Sequence, residues 1–233
     1  MRIRAISLDL DDTLWPVLPA LALAEAKLDA WLNTHHPEVA QRYPVQAMRA
    51  LREEIAAERD DLAHDFSAQR RLTLTRAFER CGRDCAPVEE AFAVYFAARN
   101  QVEPYADSVQ ALTRMARHVP LVSLSNGNAD LALIGLDHLF QARFSAREVG
   151  VAKPHPDIFE AVRAHLDLPA SEILHVGDDP VSDVAGAREA GFRTAWINRE
   201  GTDWPTQPRA DLELTDLTAL ADLIEHRASS SAP

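Results

Sequence analysis

From residue 104 onward, short apolar stretches alternate with amphipathic ones, and that alternation restricts the fold more than any other feature of the chain. Segments 120–125, 173–176, 194–198 and 212–214 read as strands, and 107–118, 157–166, 181–190 and 217–226 as helices. Gly191 stands where a left-handed glycine ends a helix. At the start, Ile3, Ile6, Leu8 and Leu10 mark one more buried strand. Such alternation folds as a parallel sheet covered by helices on both faces, an α/β architecture. No apolar run reaches the ~20 residues that cross a bilayer, which excludes a membrane-spanning role.

Residues 16–101 have another texture. Leu21, Leu28, Trp31 and Leu32 recur at helical spacing, as do Met48, Leu51, Ile55 and Leu62, then Leu72, Leu74 and Phe78, then Phe92 and Phe96. Breaks near His36-Pro37, Asp65 and 82–87 predict four helices and no strand. The chain therefore divides into a sheet domain, 1–15 with 102–227, a helical insertion, 16–101, and a small polar tail, 228–233, expected to be disordered. Phe66, Phe92 and Phe96 are expected in the core of the insertion.

Of the net charge of −12, the insertion carries only −2 (13 acids, 11 bases). So acidic a chain is a poor partner for nucleic acid. A small phosphorylated ligand remains compatible if a divalent cation stands between. Two cysteines, Cys81 and Cys85, make no disulfide scaffold and lack metal-ligand spacing, so reduced thiols in the cytoplasm are expected. The N-terminus turns acidic too early for a secretion signal.

The acids gather at strand ends. Asp9-Leu10-Asp11 closes the first strand, Ser125-Asn126-Gly127 the second, and Asp178-Asp179 a later one, with Asp183 a turn beyond. In open α/β sheets ligands bind beyond those carboxyl ends. Residues i and i+2 of a strand share a side, so Asp9 and Asp11 can face one small volume. Two carboxylates that close need a cation or a shared proton between them, and one can attack while its protonated neighbour donates. Alone, Asp9-Leu10-Asp11 reads equally as a solvated loop, since about one or two such triplets arise by chance. Ser125, backed by Asn126 and Gly127, reads either as an anion-holding hydroxyl or as a turn residue. Asp179 before Pro180 looks like a helix cap, which leaves Asp178 for a metal. Lysine occurs only at positions 27 and 153, so Lys153 is a candidate for chemistry that arginine cannot do. Trp15 has two readings, stacking on a flat ring or packing at a hinge.

In order, Asp9-Leu10-Asp11-Asp12-Thr13-Leu14, Ser125-Asn126-Gly127, Lys153-Pro154 and Val176-Gly177-Asp178-Asp179 with Asp183 resemble the four motifs of the haloacid dehalogenase-like hydrolases. The resemblance covers nearly the whole chain. It implies a Rossmann-like core with an α-helical cap that closes over the active-site edge. Asp9 would be the nucleophile, forming an aspartyl-phosphate, and Asp11 the acid and then the base. Ser125 and Lys153 would complete the catalytic set, with Asn126 and Gly127 at the substrate. Mg²⁺ would be held by Asp9, the Asp11 carbonyl and Asp178, supported by Asp179 and Asp183. Dehalogenases of this group lack the second aspartate, because a halide needs no proton, so Asp11 implies a phosphatase. The stretches around Ser125-Asn126-Gly127-Asn128, Phe140, 173–179 and 196–198 are similar to bacterial flavin mononucleotide phosphatases, which also act on a ribitylamino-pyrimidine phosphate. The expected partner is a small phosphorylated metabolite. A phosphomutase or other sugar or nucleotide phosphatase, or a non-enzymatic phospho-ligand sensor, are the alternatives. Oligomeric state is not encoded legibly.

Overall fold

The computed structural model describes residues 3–204 and 209–230. Strand β1 (Ala5–Leu8) is followed by five helices, α1 (Val17–His35), α2 (Pro37–Arg42), α3 (Val45–Glu58), α4 (Phe66–Arg80) and α5 (Val88–Arg99). The chain then alternates: α6 (Ser108–Met115), β2 (Leu121–Ser125), α7 (Leu131–Ile134), β3 (Ala142–Ser145), α8 (Ala146–Val149), α9 (Pro156–Leu166), β4 (Ile173–Gly177), α10 (Gly186–Glu189), β5 (Arg193–Ile197), β6 (Leu212–Leu214) and α11 (Leu217–Ser230). Among the described residues the six strands are all parallel, in the order β3-β2-β1-β4-β5-β6. This is the α/β, Rossmann-like sheet that the alternation implies.

The order reverses direction at β1, with β2 on one side and β4 on the other, and such a switch point opens a crevice at the carboxyl ends. Register brings those ends level: Leu8 lies beside Ser123 on β2 and beside Val176 on β4. The Asp9 amide then donates to the Val176 carbonyl at 2.9 Å, so β1 ends with its acid facing the end of β4. Strands β1, β2 and β4 are buried throughout, as a sheet covered on both faces requires. One face packs Ala5, Val122, Leu124, Ile158, Phe159 and Ile173 in a single apolar cluster. Helices α6 and α11 pack on each other with Leu112, Met115, Leu217 and Leu220 fully buried.

Contacts divide the chain into two compact units: residues 1–16, 103–127 and 135–233 in one, and 17–102 with 128–134 in the other. The second is helical, with its own core built on Leu28, Leu32, Ile55, Leu74, Phe78 and Phe92. Its make-up differs from the sequence division in that 128–134, expected in the sheet domain, groups with the insertion. Within that unit Asn128 Nδ2 donates to Ser67 Oγ at 3.2 Å, and the Asp130 amide donates to Asn100 Oδ1 at 2.7 Å.

Several boundaries differ from expectation. Helix α2 interrupts what read as one break, because Pro37 starts a short helix and Pro44 forces a second stop. Strand β3 was not legible: its four residues, Ala-Arg-Phe-Ser, are half-exposed at a sheet edge, and with only Ala142 and Phe144 turned to the core their alternation is too short to stand out. The expected 181–190 helix forms, but its first part, 180–185, is wound as a π-helix that runs straight into α10. Residues 228–230, expected in a disordered tail, continue α11, since nothing there breaks a helix before Pro233; residues 231–233 lie outside the described residues. Phe66 is 46% exposed rather than core, whereas Phe92 is buried and stacks on Phe96. Among the described residues no helix is long and apolar enough to cross a membrane.

One ion pair ties several elements together. Arg199, just past β5, grips both Asp107 oxygens at 3.0 and 3.1 Å and donates to the Thr13 carbonyl at 2.9 Å. Asp107 also accepts from the Leu217 amide at 2.8 Å, which starts α11. Burial opposes the charge on Asp107, but Arg199 and the Leu217 amide hold its carboxyl below the ordinary range. Asp107→Ala would leave a half-buried guanidinium without its bidentate partner, and a loss of about 2–3 kcal/mol is expected in urea unfolding.

Candidate active site

The first loop is a tight reversal immediately after β1. The Leu14 amide donates to the Leu10 carbonyl at 2.8 Å, and the Asp12 amide to the Trp15 carbonyl at 2.7 Å. Asp12 takes a left-handed conformation, φ 58°, which Asp tolerates better than most residues. This reversal fixes Asp9, Asp11 and Thr13 over the end of β1.

At the centre lies Lys153, 5% exposed, with its ammonium 2.6 Å from Asp9 Oδ1 and 2.6 Å from Asp183 Oδ1. Burial by itself would lower the lysine's proton affinity, but the two carboxylates reverse that and raise it. Asp183 lies on the turn after β4 and is held in reach by its surroundings. Oδ1 also meets His175 Nε2 at 3.1 Å, and Oδ2 accepts from the Asp179 amide at 3.0 Å. Burial would raise Asp183, yet Lys153 and His175 keep its carboxyl far below the ordinary range. Gly177 makes room for it, because a Cβ there would sit 2.2 Å from Asp183 Cγ.

Asp9, Asp178 and Asp183 each offer an oxygen, all within 4.8 Å of one another. Three carboxylates against one ammonium leave two negative charges in excess when all are ionised. The consequence is visible in the acids themselves. Burial, reinforced by Asp183 and Asp178, raises Asp9 well above the ordinary range despite Lys153. Burial and Asp183 push Asp178 up to about 7, against a 2.8 Å hydrogen bond from Thr13 Oγ1. A divalent cation with a preference for oxygen ligands fits this donor set, since its charge offsets the excess. Asp183 is the least available of the three, its oxygens already engaged by Lys153, His175 and the Asp179 amide.

Asp11 lies outside the three-acid cluster: Oδ1 accepts from the Trp15 indole at 2.8 Å, and Oδ2 borders Gly127. A Cβ on Gly127 would fall 2.4 Å from that oxygen and 3.3 Å from Ser125 Oγ, so Asp11, Gly127 and Ser125 are contiguous and position 127 has no room for a side chain. Ser125 Oγ accepts from the Gly127 amide at 3.0 Å, a turn contact that leaves the hydroxyl its own proton to donate. The Gly127 amide is thereby spent inside the turn. Asn126, expected at the substrate, is committed elsewhere. Its amide donates to the Lys153 carbonyl at 2.9 Å and accepts from the Lys153 amide at 2.7 Å, so the end of β2 holds the lysine's backbone. Asp179 caps the following turn through the Val181 and Ser182 amides at 2.8 and 2.6 Å.

Sequence reasoning did not find His175, Thr13 or Trp196 as parts of this site. His175 is fully buried on β4, between Ser7 Oγ (3.0 Å from Nδ1) and Asp183. Burial lowers its proton affinity, so the neutral ring gives its Nε2 proton to Asp183 and accepts from Ser7. Trp196 on β5 donates to the Asp178 carbonyl at 2.7 Å. The only sequence signal for either is a polar atom in an otherwise buried strand.

A Rossmann-like core with an inserted helical unit, and a buried lysine joining an aspartate after β1 to one after β4, defines a class of α/β hydrolase. The family model for haloacid dehalogenase-like hydrolases matches residues 3–191, and the chain belongs to that family. It is 30% identical to the Escherichia coli K12 protein 5-amino-6-(5-phospho-D-ribitylamino)uracil phosphatase YigB, over 96% of this chain and 97% of that one. It is 27% identical to the glyceraldehyde 3-phosphate phosphatase of Methanopyrus kandleri, over 92% and 91%. Among solved structures, 2-haloacid dehalogenase from Pseudomonas syringae pv. Tomato DC3000 matches with a TM-score of 0.90 and 34% identity, covering 97% and 99%.

The raised Asp178 gives a signed pH effect. The folded chain binds that proton more tightly than the unfolded one, so the stabilisation is full below the ordinary carboxylate range and is lost as pH rises through about 7. In chelator the melting temperature is therefore expected to fall between about pH 5 and pH 8. Asp178→Asn should flatten that fall and raise the melting temperature at the upper end, while Mg²⁺ should restore it in the parent protein only. A pH profile by differential scanning calorimetry, indifferent to Asp178→Asn, would contradict the charge-excess account.

Proposed function

We propose that this chain is a Mg²⁺-dependent phosphomonoesterase acting on a small phosphorylated metabolite through an aspartyl-phosphate. The observation that carries the reading is the second carboxyl, Asp11, anchored at one oxygen by Trp15 and bordered at the other by Gly127. A displaced halide needs no proton, whereas an alkoxide leaving a phosphate ester does, and a positioned acid is worth about 10²–10⁴-fold.

In this reading an Asp9 oxygen attacks phosphorus, the ester P–O bond breaks, and Asp11 gives its proton to the departing oxygen. Water then attacks the aspartyl-phosphate, Asp11 takes a proton from it, and phosphate leaves Asp9 as the free carboxylate. Lys153 orients Asp9 and offsets its charge, while Asp183 holds the ammonium from the other side. The Ser125 hydroxyl donates to a phosphoryl oxygen. Mg²⁺, held by Asp9, Asp178 and the Asp11 carbonyl, would supply the charge that lets an anionic ester approach these acids. Asn126 positions Lys153, and Gly127 provides space rather than a contact of its own.

Similarity to the ribitylamino-uracil phosphatase runs through the whole chain, including the helical unit, and supports a ribityl phosphate as the substrate class. Similarity to a 2-haloacid dehalogenase structure favours a second reading, halide displacement from a short acid. Phosphate and halide release should be measured side by side over a panel holding flavin mononucleotide, sugar phosphates and 2-chloropropionate. Mg²⁺-dependent phosphate release, abolished by chelator and reduced about 10³-fold or more by Asp9→Asn, is expected. Halide release without phosphate release would replace the reading with the second one. Phosphate binding without turnover of any ester would point to a sensor.

A further inference from the structure

Strand β4 reads Ile-Leu-His-Val-Gly and is buried throughout, with His175 its one polar side chain. A buried imidazole costs free energy unless its nitrogens find partners, and an apolar residue would fill the space without that cost. Here both nitrogens are met. Ser7 on β1 lies directly beside His175 in the strand register and places Oγ 3.0 Å from Nδ1. On the other side Nε2 stands 3.1 Å from Asp183 Oδ1. Asp183 is held ionised and can only accept, so Nε2 carries the ring proton and Ser7 donates to Nδ1. Phe159 packs edge-to-face on the ring, with centroids 5.3 Å apart.

Asp183 is thereby held from three sides. Lys153 and His175 both donate to Oδ1, and the Asp179 amide donates to Oδ2. These donors come from the segment before α9, from β4 and from the residues just after β4, so the carboxylate is triangulated. Burial keeps the ring neutral, and it therefore adds a hydrogen bond without adding a second cation beside the Lys153 ammonium.

We propose that His175, its tautomer set by Ser7, is a positioning residue for the nucleophile: its Nε2–H fixes Asp183, Asp183 fixes the Lys153 ammonium, and the ammonium orients Asp9. The inference rests on the reading of Asp9 as the nucleophile. The ammonium lies 2.6 Å from Asp9 Oδ1 as well as from Asp183 Oδ1, so a displacement of Asp183 passes directly to the attacking carboxylate. The imidazole proton is not transferred at any step. Without it Oδ1 keeps only the ammonium, the pair can shift together, and attack loses its fixed geometry.

Lysine occurs only at positions 27 and 153, so isotope-labelled lysine gives two ammonium signals in NMR, one of them from the buried Lys153. His175→Leu fills the space and removes the donor, whereas His175→Gln puts an amide N–H near the place of Nε2. In His175→Leu the Lys153 ammonium protons are expected to exchange about tenfold faster while the backbone amides of β1 and β4 stay as protected as before. Turnover is expected to fall about tenfold in kcat with KM little changed, and His175→Gln should restore most of both losses. Should His175→Leu fail to fold by circular dichroism, His175→Asn replaces it, since its shorter amide stays on the Ser7 side and does not reach Asp183. Equal losses with and without the donor, or strand amides exchanging faster together with the ammonium, mark a structural histidine and overturn the proposal. Faster ammonium exchange with an unchanged kcat overturns it too. A parent that releases halide instead of phosphate changes the proposed function but not this comparison, which is then run on halide release. A parent inactive on every substrate, or Asp9→Asn with the parent's turnover, removes the nucleophile reading and the His175 proposal together.

Discussion

A buried ammonium between two buried carboxylates is the interaction on which the rest of this site depends. Lys153 lies 2.6 Å from both Asp9 and Asp183, with all three nearly excluded from water. Removing one member would strand an uncompensated charge in the interior, a cost of about 3–5 kcal/mol in comparable buried pairs. The three residues come from the end of β1, the segment before α9 and the turn after β4. Their meeting therefore requires the whole central sheet in register. Asn126 adds the end of β2 by holding the lysine backbone from both sides.

Around that pair the site carries more negative charge than the protein can balance by itself. Burial and the neighbouring acids raise the proton affinity of Asp9 and Asp178, while Lys153 and His175 keep that of Asp183 low. Supporting contacts keep the unequal acids in place: Thr13 on the Asp178 carboxyl, Trp196 on its carbonyl, Ser7 behind His175. Such an arrangement is unfavourable as an isolated anion cluster and suited to a cation.

Within the haloacid dehalogenase-like hydrolases, this chain is similar both to phosphatases and to a 2-haloacid dehalogenase. What separates the two proposed readings is a single carboxyl, Asp11, two residues past Asp9, and the geometry that holds it. The helical unit has its own apolar core and takes in residues 128–134, which follow directly on Ser125-Asn126-Gly127. One covalent link therefore separates the turn at Ser125 from a segment anchored on Ser67 and Asn100.

Much of this was legible beforehand because it is periodic or local. Alternating apolar stretches dictate a parallel sheet, and acids just past those stretches must emerge at one edge, since parallel strands all end on the same side. Asp179 before Pro180 declares a helix cap within four residues. Edge strand β3 escaped because a single apolar–polar alternation over four half-exposed residues is too short to read. The partners of side chains escaped for a different reason. Asn126 belongs to Lys153 and His175 to Ser7, across 27 and 168 positions of sequence, and nothing local records those distances. Trp15 and Asp11 are only four apart, yet the left-handed turn at Asp12 decides that the indole meets the carboxyl. The sequence by itself determined which groups stand at the sheet edge; the tertiary structure alone decided which oxygen of each is spoken for, because that choice depends on burial and on donors brought in from other strands.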